Sequence, residues 1–199
     1  FWGIAAIALT ILWLSGLYLI FVQQRSWLRE RSSREAQQAA INLTQFVSSV
    51  EGSAVSAGNL WSVWRTLGNP SADLDTLRAM TQDISSFTDY NSHQSVEIFF
   101  ERSQRVYVSD TGMYDYEDYF DPDFLDQLHE NKNSSHWILN RNYKHYYGAQ
   151  YPMTVASYVQ RLPLFNATCQ GFLSIQIKMS TLLTAVAPNG LENMSVTWM

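Results

Sequence analysis

The hydrophobic pattern of this chain changes after its first 22 residues, which include no charged side chain. As a helix, this segment would be roughly 30 Å long, close to the thickness of the hydrocarbon core of a bilayer. Trp2 and Tyr18, near its ends, are residue types that favour the membrane interface. A cleaved signal peptide would have a shorter apolar core followed by a small-residue cleavage site. We therefore predict a transmembrane helix over 1–22.

The placement of the rest of the chain depends on the charges on both sides of this segment. The arginines that follow it would by themselves favour the cytoplasm, and these are Arg25, Arg29, Arg31 and Arg34. A more basic stretch before residue 1 would reverse that balance. We expect the soluble part to be extracytoplasmic and the chain to be a piece of a longer protein, since 194–199 is typical of a strand that is cut off.

Apolar and small residues recur after this segment at alternating steps of four and three, from Ala36 to Trp64. This heptad spacing predicts a long helix, over 23–68, whose apolar stripe contacts another helix. The partner could be a second copy of the chain, and the helix would then be a stalk and dimerisation element. The alternative is a helix that lies along its own sheet, which a broader stripe including Phe46 favours. The residues predicted for the seam are Val47, Val50, Ala54, Ala57, Trp61 and Trp64.

From residue 91 onward, apolar and polar positions alternate, which is typical of strands with one buried face. The segments 95–101 and 105–110 are separated by a polar turn and predict a hairpin. The last strand, 171–178, alternates Leu173, Ile175 and Ile177 with Ser174, Gln176 and Lys178. The other predicted elements are helices over 73–87, 124–130 and 180–187 and strands over 137–139 and 153–161. This order predicts an α+β fold, in which a long N-terminal helix packs on an antiparallel sheet that has one buried and one wetter face.

Composition and motifs exclude several functional classes. The 13 basic and 18 acidic residues give a net charge of -5, without the basic face that a nucleic-acid binder needs. No P-loop, dinucleotide glycine motif, HExxH or GxSxG sequence occurs. A lone cysteine, Cys169, and histidines without paired spacing predict no metal site. We therefore expect no cofactor and no enzymatic activity in this fragment.

Two segments are candidates for a functional site. Between Asp110 and Glu130, eight acidic residues are interleaved with aromatic ones and no basic residue occurs. This lid-like loop could bind calcium or form the acidic wall of a cavity, but the EF-hand spacing is lacking, which favours a solvated loop held by its aromatic residues. The segment 136–151 combines aromatic rings with Arg141 and other polar groups, as small-molecule sites and protein interfaces do. It could equally be a loop that packs over the sheet.

Taken together, these segments resemble a known family. The sequences SVEIFFERSQRVYVSD, YEDYFDPDF, SHW, MTVASYVQRLP and GFLSIQIKMSTLL follow one another as in Cache-type extracytoplasmic sensor domains, and more narrowly those of Gram-positive sensor histidine kinases and AraC-type regulators. The resemblance covers most of residues 23–190. It implies a PAS-like sheet, a membrane-distal sensor module over 69–190, the start of a membrane-proximal module at 191–199, and a cytoplasmic output module. The amino-acid-binding branch has an Arg two positions before a Trp-Tyr pair, of which only Trp137 is present here.

The function that the resemblance implies is signal input to a bacterial transmembrane receptor of a two-component or transcription-regulating system. The sensor would bind a small molecule, such as a carbohydrate, or a ligand-loaded extracellular binding protein, and would relay the change through its long helix. The residues predicted to bind the ligand are Tyr107, Tyr119, Trp137, Arg141 and Tyr151, with the rings stacking and the guanidinium orienting a polar or anionic group. We expect a homodimer. The alternative is a membrane-anchored dimerisation or protein-docking module without a small-molecule ligand.

Overall fold

The computed structural model describes residues 2–69, 74–87, 94–131, 135–144, 153–164 and 168–187, without the side chains of 2–12, 14, 15 and 94. The α-helices in these ranges are α1 (Trp2–Gly58), α2 (Trp61–Gly68), α3 (Leu74–Ser85), α4 (Pro122–Glu130) and α5 (Met179–Val186). The strands are β1 (Gln94–Phe100), β2 (Arg105–Val108), β3 (Gly112–Asp115), β4 (His136–Tyr143), β5 (Met153–Leu162) and β6 (Gly171–Lys178). The predicted strand at 194–199 and the predicted site residue Tyr151 lie outside the described residues. Contacts divide the chain into two units, Phe1–Leu43 and Thr44–Met199.

The first unit consists of the part of α1 up to Leu43. Its polar stretch has exposed ion pairs one helical turn apart, Arg31 with Glu35 and Arg34 with Glu30. The segment 1–22, predicted to cross a membrane, lies in this unit. Among the residues that the structure describes, no helix has both the length and the apolar character needed to cross a membrane.

The second unit contains a six-stranded antiparallel sheet in the order β3-β2-β1-β6-β5-β4. The predicted α+β fold is confirmed, including the hairpin of β1 and β2 and the strands that become β5 and β6. The edge strand β3 was not predicted, because its four residues begin at Gly112 (φ 109°) and lie within the acidic segment that indicated a loop. The acidic segment is thus partly structured, as β3, a 3-10 turn at Tyr116–Asp118 and α4.

The two sides of the sheet are covered by different elements. Gln160 on β5 donates from Nε2 to the carbonyl oxygen of Ala54 on α1 at 3.3 Å, so we call this the helix side. We call the opposite side the cover side, because residues 116–131, hereafter the cover segment, pack on it. The apolar cluster between this side of the sheet and the cover segment consists of Phe99, Val106, Val108, Tyr119, Phe124, Leu125, Leu128, Val159 and Phe172. The expected wetter face is therefore a wrong prediction: Ser174 and Gln176 on β6 are 0% and 2% exposed, since the cover segment removes them from solvent.

The predicted single helix over 23–68 is divided into α1 and α2, with Asn59 and Leu60 between them. Gly58 allows the end of α1 to approach β5 closely, because a Cβ atom there would lie 2.8 Å from Leu162 Cδ2. The heptad spacing does not predict the break between the two helices, because the spacing continues into α2 through Trp61 and Trp64.

The residues of the predicted seam have two different environments. Val50, Ala54 and Ala57 are buried within the second unit, as the own-sheet alternative requires, and Val47 is half-buried. Trp61 and Trp64 are 70% and 46% exposed on α2. Dimerisation through this stripe stays a prediction.

Candidate functional site

Glu97 is a carboxylate at the centre of the sheet. It lies in the middle of β1, faces the cover side and is 0% exposed. The hydroxyl of Tyr119 donates to its Oε2 at 3.0 Å, Gln176 Nε2 donates to the same oxygen at 2.9 Å, and the hydroxyl of Tyr143 donates to Oε1 at 2.9 Å. Burial raises the pKa of Glu97 above its ordinary value, while Arg141 and the three hydrogen bonds act in the opposite direction.

Arg141 is the buried cation of the same region, with its side chain only 7% exposed. It forms an ion pair with Asp121 of the cover segment and donates from Nε to Ser157 Oγ at 3.2 Å. Its guanidinium carbon lies 3.8 Å from the centre of the Phe124 ring, a cation–π distance. These contacts satisfy a charge that would otherwise be costly to bury.

A β-bulge in β4 places Arg141 on the cover side. Ile138 pairs with Ser157 and Arg141 pairs with Val155, so β4 uses three steps where β5 uses two. Asn140, within the bulge, has φ 58°, a conformation that asparagine tolerates better than most residues. Without the extra residue, the alternation of the strand would turn Arg141 to the helix side, away from Asp121.

Gln176 joins the carboxylate to the guanidinium. Its Oε1 accepts hydrogen bonds from Arg141 Nη2 at 2.9 Å and from the hydroxyl of Ser157, while its Nε2 donates to Glu97 and, at 3.0 Å, to Ser174 Oγ. The resulting buried network, hereafter the Glu97–Arg141 network, consists of Glu97, Tyr119, Asp121, Arg141, Tyr143, Ser157, Ser174 and Gln176.

The cover segment is attached to the sheet by polar contacts near both of its ends. Near its start, Tyr119 and Asp121 contact Glu97 and Arg141 as described above. Near its end, His129 on α4 lies with Nε2 2.8 Å from Oε1 of Glu101, in the turn after β1. Between these points the T-shaped contact of Phe124 with Phe99, with ring centres 5.8 Å apart, provides apolar packing.

The structure brings together two of the five predicted ligand-binding residues, Tyr119 and Arg141, which are linked through Glu97 and Gln176. Tyr107 and Trp137 lie on the helix side: Tyr107 pairs with Ile98 of β1, and Trp137 donates from Nε1 to Glu51 Oε1 on α1 at 3.1 Å. The roles of these residues in ligand binding stay predictions.

Sequence analysis missed six members of the network: Glu97, Asp121, Tyr143, Ser157, Ser174 and Gln176. The available signal was the polar residue within an apolar strand, since Glu97 shares a face with Phe99 and Gln176 follows Ile175. Within the described parts of the chain, no group of three or more His, Cys, Asp or Glu side chains is placed to hold a metal ion.

The fold of this chain, an antiparallel sheet with a long N-terminal helix, is similar to that of several solved sensory domains. The sensory domain of the Campylobacter jejuni chemoreceptor Tlp3 (CcmL), solved with isoleucine bound, is similar, with a TM-score of 0.53, 12% identity, and 77% of this chain and 62% of that chain covered. The same receptor's ligand-binding domain in complex with L-valine has a TM-score of 0.52 at 13% identity, with the same coverage. The extracellular domain of the histidine kinase vpHK1S-Z8 has a TM-score of 0.56 at 10% identity, covering 79% of this chain and 59% of that chain.

These similarities confirm the fold that the resemblance to Cache-type sensor domains implies. This chain spans about three-fifths of the length of the sensory domains that it matches. No protein-family model matches the sequence, and no curated protein does so either.

Proposed function

We propose that this chain is an extracytoplasmic signal-input domain that binds a small molecule between the cover side of the sheet and the cover segment. The observation that supports this most is the Glu97–Arg141 network, which holds a carboxylate and a guanidinium out of solvent where the cover segment is attached to the sheet by polar contacts. Buried charges are not needed for stability, since apolar residues of similar volume often do as well. Their presence on the covered side of the sheet therefore favours a role in recognition.

The ligand would act by exchanging partners with the network. An anionic group of the ligand could replace Asp121 as the ion-pair partner of Arg141. A hydroxyl or ammonium group could replace one of the groups that donate a hydrogen bond to Glu97. The cover segment would then shift, because Asp121 and Tyr119 lie on it. A ligand can bias two arrangements only by the difference in its affinity for them, so these exchanged contacts are where that difference would arise.

Strands β4 and β5 would pass the change to α1. β4 has Arg141 on the cover side and Trp137, bonded to Glu51 of α1, on the helix side. β5 has Ser157 on the cover side and Gln160, bonded to the Ala54 carbonyl, on the helix side. A displacement of either strand therefore acts on α1, which we propose leads to a cytoplasmic output module.

The chemistry of the network suits small polar ligands with a charged or hydroxyl group. The similar Tlp3 structures contain isoleucine and L-valine, and amino acids are thus one class to test here. Carbohydrates are a second class, because hydroxyl-rich ligands suit a site with aromatic rings and fixed polar groups. A ligand-loaded binding protein would contact the cover segment from outside.

Thermal unfolding of the chain against amino acids, sugars, organic acids and amines tests this proposal. We expect a stabilising ligand to raise Tm by roughly 5–10 °C at about 100 times its Kd. The shift should be lost in Arg141→Gln and kept in the matched control Arg105→Gln, whose arginine forms an exposed ion pair with Asp115. A ligand shift of equal size in both variants would contradict the assignment of the site.

A second candidate function is dimerisation or protein docking through α2. Trp61 and Trp64 are large, exposed and neighbouring on this short helix, and aromatic residues of this kind are enriched at interfaces. Sedimentation would show a dimer that is lost in Trp61→Asp and kept in Leu74→Asp, a matched change at an exposed leucine on α3. A monomer at all concentrations would exclude dimerisation through this helix.

A further inference from the structure

We propose that the domain also senses protons. Uptake of one proton by Glu97 weakens the hydrogen bonds that it accepts from Tyr119 of the cover segment and from Tyr143 of β4. The proposal concerns the chain without ligand and does not depend on what the sensor binds. It rests on the arrangement of donors and charges around one carboxylate.

The hydrogen bonds around Glu97 are those of an ionised carboxylate. Among the described residues, all three groups that form hydrogen bonds with it donate to it, namely the hydroxyls of Tyr119 and Tyr143 and the amide of Gln176. A protonated carboxyl must itself donate from one oxygen, and so one of these partners would have to turn and accept. The Gln176 nitrogen cannot accept, and a flipped amide would break its contacts to Arg141 and Ser157. The change must therefore be taken up by the tyrosines.

The donors to Glu97 are neutral groups. Among the described residues no cationic side chain forms an ion pair with Glu97, since the Arg141 guanidinium is bonded to Asp121 and lies beyond the Gln176 amide. Hydrogen bonds to an ionised group are roughly twice as strong as those between neutral groups. Loss of the charge on Glu97 would thus weaken the bonds from both tyrosines at once.

The other groups around Glu97 compensate its charge only in part. Arg141 of β4 favours the ionised carboxylate but is itself paired with Asp121 of the cover segment, and β6 contributes the uncharged Ser174 and Gln176. On the β2 side, Val108 is the residue paired with Glu97, and the carboxylate of Asp110 acts on Tyr143. Burial raises the pKa of Glu97 and so moves its titration from ordinary glutamate values toward neutral pH.

A second contact between ionisable groups attaches the cover segment to the sheet, and its effect has to be distinguished from that of Glu97. His129 and Glu101 are partly exposed and join the end of α4 to the turn after β1. The variants below separate any contribution of this contact from that of Glu97.

The test is ¹⁹F NMR of chain labelled with 3-fluorotyrosine, recorded without ligand over roughly pH 4 to 9. Tyr119→Phe and Tyr143→Phe assign the two signals. We expect both signals to follow one transition of a single proton in the parent chain, in His129→Gln and in Glu117→Gln, a matched change at an exposed glutamate of the cover segment. In Glu97→Gln the two signals should not titrate.

A transition that persists in Glu97→Gln, or one that disappears in His129→Gln, would overturn the proposal. If Glu97→Gln does not fold, the ¹³C signal of the Glu97 carboxyl in the parent chain provides the second measurement. It should titrate with the same midpoint as the two tyrosine signals, and a different midpoint or an invariant carboxyl signal would overturn the proposal. No ligand is present, so this failure is distinguishable from failure of the proposed small-molecule site.

Discussion

Glu97 and Arg141 are joined through a single amide, that of Gln176, whose Oε1 accepts from Arg141 Nη2 and whose Nε2 donates to Glu97 Oε2, each at 2.9 Å. The amide presents an acceptor to the cation and a donor to the anion, and keeps the two charges from forming a direct ion pair. Because β6 lies between β1 and β5 in the sheet, Gln176 is placed to couple strands on both sides.

Replacement of Gln176 by leucine should destabilise the fold. The variant Gln176→Leu removes an acceptor from Arg141 and a donor from Glu97, and leaves both buried groups with fewer partners. We expect a loss of about 2–4 kcal/mol in the free energy of unfolding, measured by chemical denaturation. The matched change Gln82→Leu, at an exposed position of α3, should alter stability by less than about 0.5 kcal/mol. Equal effects of the two changes would show that the hydrogen bonds of Gln176 to Arg141 and Glu97 contribute nothing to stability.

Two aspartates of the cover segment should differ strongly in their effect. Asp121→Ala leaves the Arg141 guanidinium buried without its anion, because both side chains are nearly inaccessible at 3% and 7% exposure. We expect a loss of about 3–5 kcal/mol. Asp123→Ala, two residues later, removes an ion pair with Lys144 whose side chains are 73% and 54% exposed, and we expect no measurable change. Urea unfolding of both variants checks this, and a similar loss in each would refute the buried pair as the main attachment.

Glu97 should make the stability of the chain depend on pH with a definite sign. Its pKa is raised in the folded state above the ordinary 4.5, because burial disfavours the charged form. Between those two pKa values the folded chain binds more protons than the unfolded chain, so stability falls as pH rises through this window. Relative to Glu97→Gln, the parent chain should therefore lose Tm as pH increases from about 4.5 to the folded pKa. A difference between the two that does not change with pH would contradict the raised pKa.

Replacement of two glycines of the second unit by alanine should change stability in opposite directions. A Cβ atom at Gly171 would lie 2.1 Å from the carbonyl oxygen of Phe99, so Gly171→Ala must separate β6 from β1 or distort them. We expect loss of the cooperative unfolding transition or a fall of several kcal/mol. Gly52→Ala, in an exposed turn of α1 with open space around it, should raise stability by up to about 1 kcal/mol through helix propensity. Circular dichroism during thermal unfolding measures both, and a tolerated Gly171→Ala would mean that the strands are less closely paired than the register indicates.

The amino-acid sequence by itself determined most of the element types and the fold class. Alternation in 95–101 and 171–178 specifies strands because side chains alternate across a sheet, and heptad spacing before residue 58 specifies a helix because that spacing follows the helical period. The resemblance to Cache-type sensors relied on the same order of elements. The sequence also singled out Tyr119 and Arg141, through their place in segments rich in aromatic and polar residues.

Only the tertiary structure decided which side chains share a site. In a regular strand Trp137 and Arg141, four residues apart, would point to the same side, but the bulge between them sends Trp137 to α1 and Arg141 to the cover segment. No local pattern marks that extra residue, because its position is set by pairing with β5. Burial of Ser174 and Gln176 likewise depends on the cover segment, more than 40 residues earlier in the chain. Hydrophobic periodicity and secondary-structure propensity depend on residues close together in the sequence. The site is instead formed by contacts between strands and the cover segment, which are distant along the chain.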